Sequence, residues 1–397
     1  MKNDRCQNNC CQSGSCSMSS FMETFYPAAE KGGCKSLEDG GQARACSLPE
    51  VASLVELTLI GSMTKEQAVL AADPYSIGAM LREPEAVLAQ PEDLGAPERL
   101  LIWSDEARSL KMMAENVAYP LEQSDLLSGT EGLLLLQEDR WLGSGHLKEL
   151  FEEWALQYDS DRYGSASQPS IALRERLLYR WKGHMETMLY HLDEGTLSVA
   201  LVSGIDMPWA HAQEPAYLAD LRDIQLEALF RASLACYRQG MEHRLEILVP
   251  YPVYMEEWND MHDLIEKVAE ETLCHQRRAV SYSIGALVQT DIHPGFAADL
   301  ARCADLIVLD SSGMSCAERS WSAEGVEGFE TLVECIRKVR SQLPLRVSGL
   351  MHADNLPSIY RVHVKEVGVL PETIPAFRLA AAQWELREQG RSKKIVL

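Results

Sequence analysis

Between residues 111 and 371 the chain alternates short apolar runs with longer stretches whose apolar residues recur every three or four positions. The runs are KMMAENVA (111–118), EGLLLLQ (131–137), LSVALVSG (197–204), LEILVPY (245–251), SYSIGALVQ (281–289), DLIVLDS (305–311), LRVSGLM (345–351) and VKEVGVLP (364–371). Each is short and mainly apolar, which predicts a strand. The intervening stretches, such as DIQLEALFRASLACYRQG and EEWNDMHDLIEKVAEETLCHQ, carry an apolar face at helical spacing. Eight buried strands alternating with helices predict an α/β fold, a (β/α)8 TIM barrel, whose working face lies at the strand C-terminal ends. The second crossover, 142–196, is long and broken by DSDRYGSASQPS between two helical stretches. It is expected to be an excursion over the barrel face.

Upstream the pattern changes. Residues 48–91 form a linker-like segment that reads as short helices, with Thr64 and Gln67 forming a capping box ahead of KEQAVLAA and a turn at Asp73-Pro74. Residues 1–47 show almost no apolar periodicity and hold six of the eleven cysteines: Cys6, Cys10, Cys11, Cys16, Cys34 and Cys46. Closely spaced thiols can converge on a metal or cluster. Here no CxxC pair and no nearby His supports that, and the Ser/Gly/Asn-rich composition predicts a disordered leader. The expected division is therefore 1–47 leader, 48–91 helical segment and 92–390 barrel.

Composition narrows the partners. A formal net charge of -22 and a pI near 4.9 argue against nucleic acid and anionic membrane surfaces, which such a surface would repel. No apolar run reaches the length of a membrane span, and MKNDRCQNNCCQSGSCSMSS has no apolar signal region, so a cytoplasmic protein is expected.

The segment LRVSGLMHADNLPSIYRVHVKEVGVLPETIPAFRLAAAQ (345–383) resembles the end of the barrel of phosphoenolpyruvate-utilising enzymes, of the pyruvate phosphate dikinase type in particular. The same order of strand, small-residue turn, helix, strand and RLAAAQ helix occurs there. The string TKEQAVLAADPYS is similar to the family's linker, and SIGALVQTDIHPGFAADLARCADLIVLDSSGMS to its fifth and sixth strands. The resemblance covers about residues 48–383.

It implies a barrel that binds phosphoenolpyruvate with Mg²⁺, yet the family's reactive positions read differently here. The acid Cys falls on Leu350, in the stretch Leu350, Met351, His352 that replaces Cys-Gly-Glu. The metal-binding Glu falls on Gln289 and the metal-binding Asp on Gly313, within DSSG from Asp310 to Gly313. The second-strand arginine falls on Gln137, and the third-strand arginine on Ala200, with Ser203 in the following Asp slot. A hard cation needs charged oxygen ligands, and a phosphate needs guanidinium partners. These replacements predict that no cofactor is bound, Mg²⁺ only if residual family function survives. No counterpart of the family's nucleotide-binding or phosphohistidine domains is read in the sequence.

Expected site residues are Gln137, Gln289, Ser312 and His352, converging at the barrel mouth on a neutral or weakly anionic ligand, with Asp310 as the one metal candidate. Asp206, Asp291, His293 and Asp354 are further ionisable residues there, better explained as ordinary polar residues on loops, where helix N-caps favour Asp. The resulting expectation is a catalytically inactive, dikinase-like barrel acting as a binding or regulatory module. Family resemblance implies a homodimer, or a heterodimer with a phosphoenolpyruvate-utilising paralogue. The alternatives are a repurposed barrel enzyme acting on another small carboxylate or phosphorylated substrate, and an interaction protein whose Cys-rich leader is the active part.

Overall fold

The computed structural model describes residues 48–82, 95–117, 129–136, 145–163, 169–192, 195–203, 217–311, 323–350 and 352–395. The leader, Gln137, Asp206, Ser312, Gly313 and Met351 lie outside these residues.

Eight parallel strands close into a barrel in sequential order, each hydrogen-bonded to the next and β8 to β1. They are β1 (Lys111–Glu115), β2 (Gly132–Leu135), β3 (Thr196–Ala200), β4 (Arg244–Pro250), β5 (Tyr282–Gln289), β6 (Leu306–Asp310), β7 (Leu345–Leu350) and β8 (Glu366–Val369). All eight coincide with the apolar runs. The α/β barrel expected from periodicity is the observed fold.

The two faces of the strands differ. Met112, Ala114, Leu133, Leu135, Leu197, Val199, Ile247, Ile307, Leu309, Val347 and Val367 belong to the large cluster shared with the surrounding helices. Their strand neighbours Met113, Leu134, Ala200, Leu248, Leu287, Leu306 and Val308 form a second cluster. A strand presents alternate residues to opposite faces, so this second set fills the barrel lumen.

Polar residues share the lumen register: Glu115, Ser198, Glu246, Asp310, Arg346, Ser348 and Glu366. Arg346 of β7 donates to Glu246 Oε2 of β4 at 2.9 Å, to Ser198 Oγ of β3 at 2.9 Å and to Glu366 Oε2 of β8 at 2.8 Å. Ser198 Oγ also donates to Glu246. One guanidinium thus ties β7 and β8 to β3 and β4 across the interior. Burial disfavours its charge, but Glu246 and Glu366 more than offset that and hold its pKa above the usual arginine value.

Before the barrel, α1 (Leu48–Leu59), α2 (Lys65–Ala71) and α3 (Pro74–Arg82) fall in the segment expected to be helical, and a further helix, α4 (Gly95–Ala107), lies within the range expected for the barrel. The capping box is present: Thr64 Oγ1 accepts from Gln67 N, and Gln67 Oε1 from Thr64 N. Val51, Val55, Val69, Ile77, Leu100 and Trp103 bury an apolar face with Leu379 and Ala382 of the closing helix. Gln383 Nε2 of that helix donates to the carbonyls of Val69 and Ala72 at 2.8 and 2.7 Å, satisfying buried carbonyls at the C-terminal end of α2.

The long crossover contains α5 (Gly145–Tyr163) and α6 (Pro169–Leu192). Rather than making an excursion over the barrel face, these helices bury Phe151, Trp154, Leu177, Trp181, Met185 and Met188 in the main core. The apolar residues recur at three and four, so they demand a packed face, and α5 continues through Asp159–Tyr163, where a break was expected. Next come α7 (Leu218–Arg238), α8 (Met255–Leu273), α9 (Pro294–Cys303), α10 (Ala323–Val339), α11 (Leu356–Arg361) and α12 (Ile374–Ile395), the closing helix. Among the described residues, no helix is long and apolar enough to cross a membrane.

Candidate functional site at the barrel mouth

The strand C-terminal ends bring two buried carboxyl groups to the mouth. Glu115 is the last residue of β1 and 4% exposed. Its Oε2 accepts from the backbone N–H of Gly349 on β7 at 2.8 Å, and its Oε1 from Asn116 Nδ2 at 3.1 Å. This reach depends on a glycine at 368 in β8, where a Cβ would stand 3.1 Å from Glu115 Oε2 and 2.6 Å from Leu134 Cδ2. Asp310 ends β6, is also 4% exposed, and accepts from Tyr251 Oη at 2.6 Å.

The residues that arrange these groups sit in an uncommon backbone conformation. Asn116 and Tyr251 both have positive φ, 49° and 46°, directly after β1 and β4. Left-handed non-glycine residues are costly and cluster where geometry matters. Asn116 compensates with its side chain, since Oδ1 accepts from Leu136 N at 3.0 Å and so fixes the end of β2. Tyr251 is held by its N–H to Leu287 O at 2.7 Å.

Of the sequence candidates, Gln289 and Asp310 are register partners on β5 and β6. Gln289 is exposed, and Asp310 is buried beside it. His352, past β7, is exposed and gives its carbonyl to Asn355 N. Leu350 is the last residue of β7. His293 caps α9, its Nδ1 accepting from Gly295 N at 3.1 Å. Asp354 meets Tyr75 of α3; burial first, and then Asp354, push that phenol up to about 12.

The third-strand end carries Ala200, at 1% exposure, where the sequence resemblance calls for an arginine. Gln225 of α7 pins it, accepting from Val202 N at 2.9 Å and donating to Ala200 O at 3.0 Å. Arg222 lies nearby but spends its Nε on Val202 O at 2.9 Å.

Among the described residues, no group of three or more His, Cys, Asp or Glu stands together to hold a metal ion. Gln289 supplies no charge, and one oxygen of Asp310 is taken by Tyr251. The described residues therefore do not fit a Mg²⁺ cage, which needs several free oxygens at short range.

Sequence reading missed Glu115, Asn116 and Tyr251. A signal existed: Glu115 keeps the period-2 register of Met113, and Asn116 follows it as a polar residue in an otherwise apolar run. Replacing Tyr251 by Phe removes one donor from a buried carboxyl group, which should cost about 1–2 kcal/mol. Urea unfolding of Tyr251→Phe checks this; an unchanged midpoint would mean that the hydrogen bond contributes nothing.

No family model matches the chain. Pyruvate, phosphate dikinase 2 of Oryza sativa subsp. japonica is 24% identical over 194 residues, covering 41% of this chain and 22% of its own length. The chain thus spans about a fifth of the length of the curated relative it matches. Two structures of tryptophan synthase from M. tuberculosis, an aminoacrylate-bound form and an open form with a bound compound, are 13% and 15% identical. They cover 52% and 53% of this chain and 86% of their own, at a TM-score of 0.26, a likeness that carries no argument. Part of this chain is thus similar to part of a pyruvate, phosphate dikinase.

Proposed function

We propose that this chain is a dikinase-like barrel that binds a small neutral or weakly anionic ligand at its mouth and performs no phosphoenolpyruvate chemistry, serving as a binding or regulatory module. The observation that carries this reading is the charge of the described mouth. Glu115 and Asp310 are the buried ionisable groups there, while Ala200, Gln289 and Leu350 stand at positions where the resemblance calls for an arginine, a carboxylate and an acid. A trianionic substrate brought to two buried carboxyl groups without guanidinium partners would be repelled. Losing any one such group commonly costs orders of magnitude in rate, and these losses combine. Pairing with a second copy, or with a phosphoenolpyruvate-utilising paralogue, belongs to the same proposal and rests on the resemblance alone.

A second reading, a repurposed enzyme acting on another small carboxylate or phosphorylated substrate, draws on the Tyr251–Asp310 pair. A phenol bonded to a carboxyl group at a left-handed strand end is an arrangement that can move a proton. Phosphoenolpyruvate with Mg²⁺ tests the first reading: neither tight binding nor pyruvate release above a heat-killed control is expected.

A further inference from the structure

The barrel end opposite the mouth carries a cleft of about 740 Å³ between α10, α11 and the first residues of β7 and β8. In a chain of net charge -22, its lining gathers Arg337, Arg361, His363 and Lys365. Three carboxylates line it too, but each already has a cation. Glu330 pairs with Arg361 at 3.0 Å, Glu334 with Lys338 at 3.4 Å, and Glu366 with Arg346 at 2.8 Å. The positive side is not matched in the same way: among the described residues, neither Arg337 nor Lys365 has an acidic partner.

Arg337 is also held in place. Its Nη1 donates to the carbonyls of Ser341 and Leu343 at 2.9 and 2.6 Å, which fixes the guanidinium against the cleft wall. Nε and Nη2 are left without a described acceptor. A planar guanidinium with two spare donor nitrogens on a fixed mount matches the oxygens of a phosphate or carboxylate. Burial lowers its pKa from the usual arginine value, the mark of a cation whose surroundings do not compensate it. His363 turns the chain into β8 with φ 55°, a left-handed non-glycine conformation on the same wall.

We propose that this cleft is a binding site for a small dianion, a phosphate group or a dicarboxylate, held by Arg337 with Lys365 and His363 supplying further donors. Glu366 lines the cleft and also grips Arg346, so the bound anion sits beside the ion network that fills the floor of the barrel. The site is separate from the mouth and stands whether or not the mouth binds what is proposed above.

Calorimetric titration of the full chain with inorganic phosphate, and separately with succinate, at ionic strength matched by NaCl, tests it. Saturable binding with a dissociation constant of about 1 mM is expected for at least one anion, the stronger of the two naming the source. Arg337→Gln and Lys365→Gln should each weaken it about ten-fold, and Lys65→Gln, distant on α2, should not. Arg337→Gln also gives up two carbonyl contacts, so Lys365→Gln, exposed and without a described partner, separates binding from folding. Neither anion saturating, or Lys365→Gln binding as tightly as the unaltered chain, would overturn the proposal.

Discussion

Replacing Arg346 by Met is expected to destabilise the barrel by about 3–5 kcal/mol, much of the stability a domain has to lose. Arg346 is 3% exposed and meets Glu246, itself 7% exposed, at 2.9 Å. Methionine keeps the stem and removes the charge, so Glu246 is left buried with Ser198 as its remaining partner. Glu366 is more exposed, its side chain 30% accessible, and water can take over there. The cost should therefore come mainly from Glu246. A second variant isolates that cause: with Arg346→Met and Glu246→Met together, no carboxylate is stranded, and most of the loss should return, since apolar replacements of whole buried pairs are often neutral. Urea unfolding reads both. A single variant within about 1 kcal/mol of the unaltered chain would mean that the network does not hold the barrel.

Gly132→Ala should be nearly as severe, about 3 kcal/mol or more, from sterics rather than charge. A Cβ at 132 would lie 2.1 Å from the carbonyl oxygen of Thr196 and 2.9 Å from Met113 Cε. The methionine end can swing away, but the carbonyl belongs to β3, which is the register partner of β2 at this residue. Relief requires spreading two strands of a closed barrel, and closure passes that strain to the rest. Gly183→Ala, with open space around its Cβ in mid-α6, is the control and should be neutral or slightly stabilising. Thermal unfolding of the two variants checks the contrast; equal melting temperatures would contradict it.

The barrel was legible because the outward face of each strand is apolar without exception among the residues that define it. Buried parallel strands read as near-continuous apolar runs, and helices at three-and-four spacing separate them here. The lumen was harder. Glu246 lies between Leu245 and Ile247, Arg346 between Leu345 and Val347, and Glu366 before Val367. Each looks like a flaw in an apolar run until register shows that all three face one another inside. Three charges within the first three residues of β4, β7 and β8 were the available signal. The mouth was partly legible: Asp310 and Gln289 were placed at strand ends, but Tyr251 was read as the last residue of a strand. Its role depends on a left-handed turn that aims the phenol across to β6, and no sequence pattern specifies that. In the second crossover the apolar residues at three-and-four spacing outweigh the Gly/Ser break, and they draw α5 and α6 into the core.

The most direct test of the functional account is calorimetric titration with phosphoenolpyruvate and Mg²⁺, run on the unaltered chain and on Lys365→Gln, in which binding at the distal cleft is weakened. The account predicts no saturable heat in Lys365→Gln up to about 1 mM, corresponding to binding weaker than about -4 kcal/mol. A micromolar dissociation constant that persists in Lys365→Gln, roughly -8 kcal/mol, would mean that the mouth recognises phosphoenolpyruvate after all, and would contradict the account.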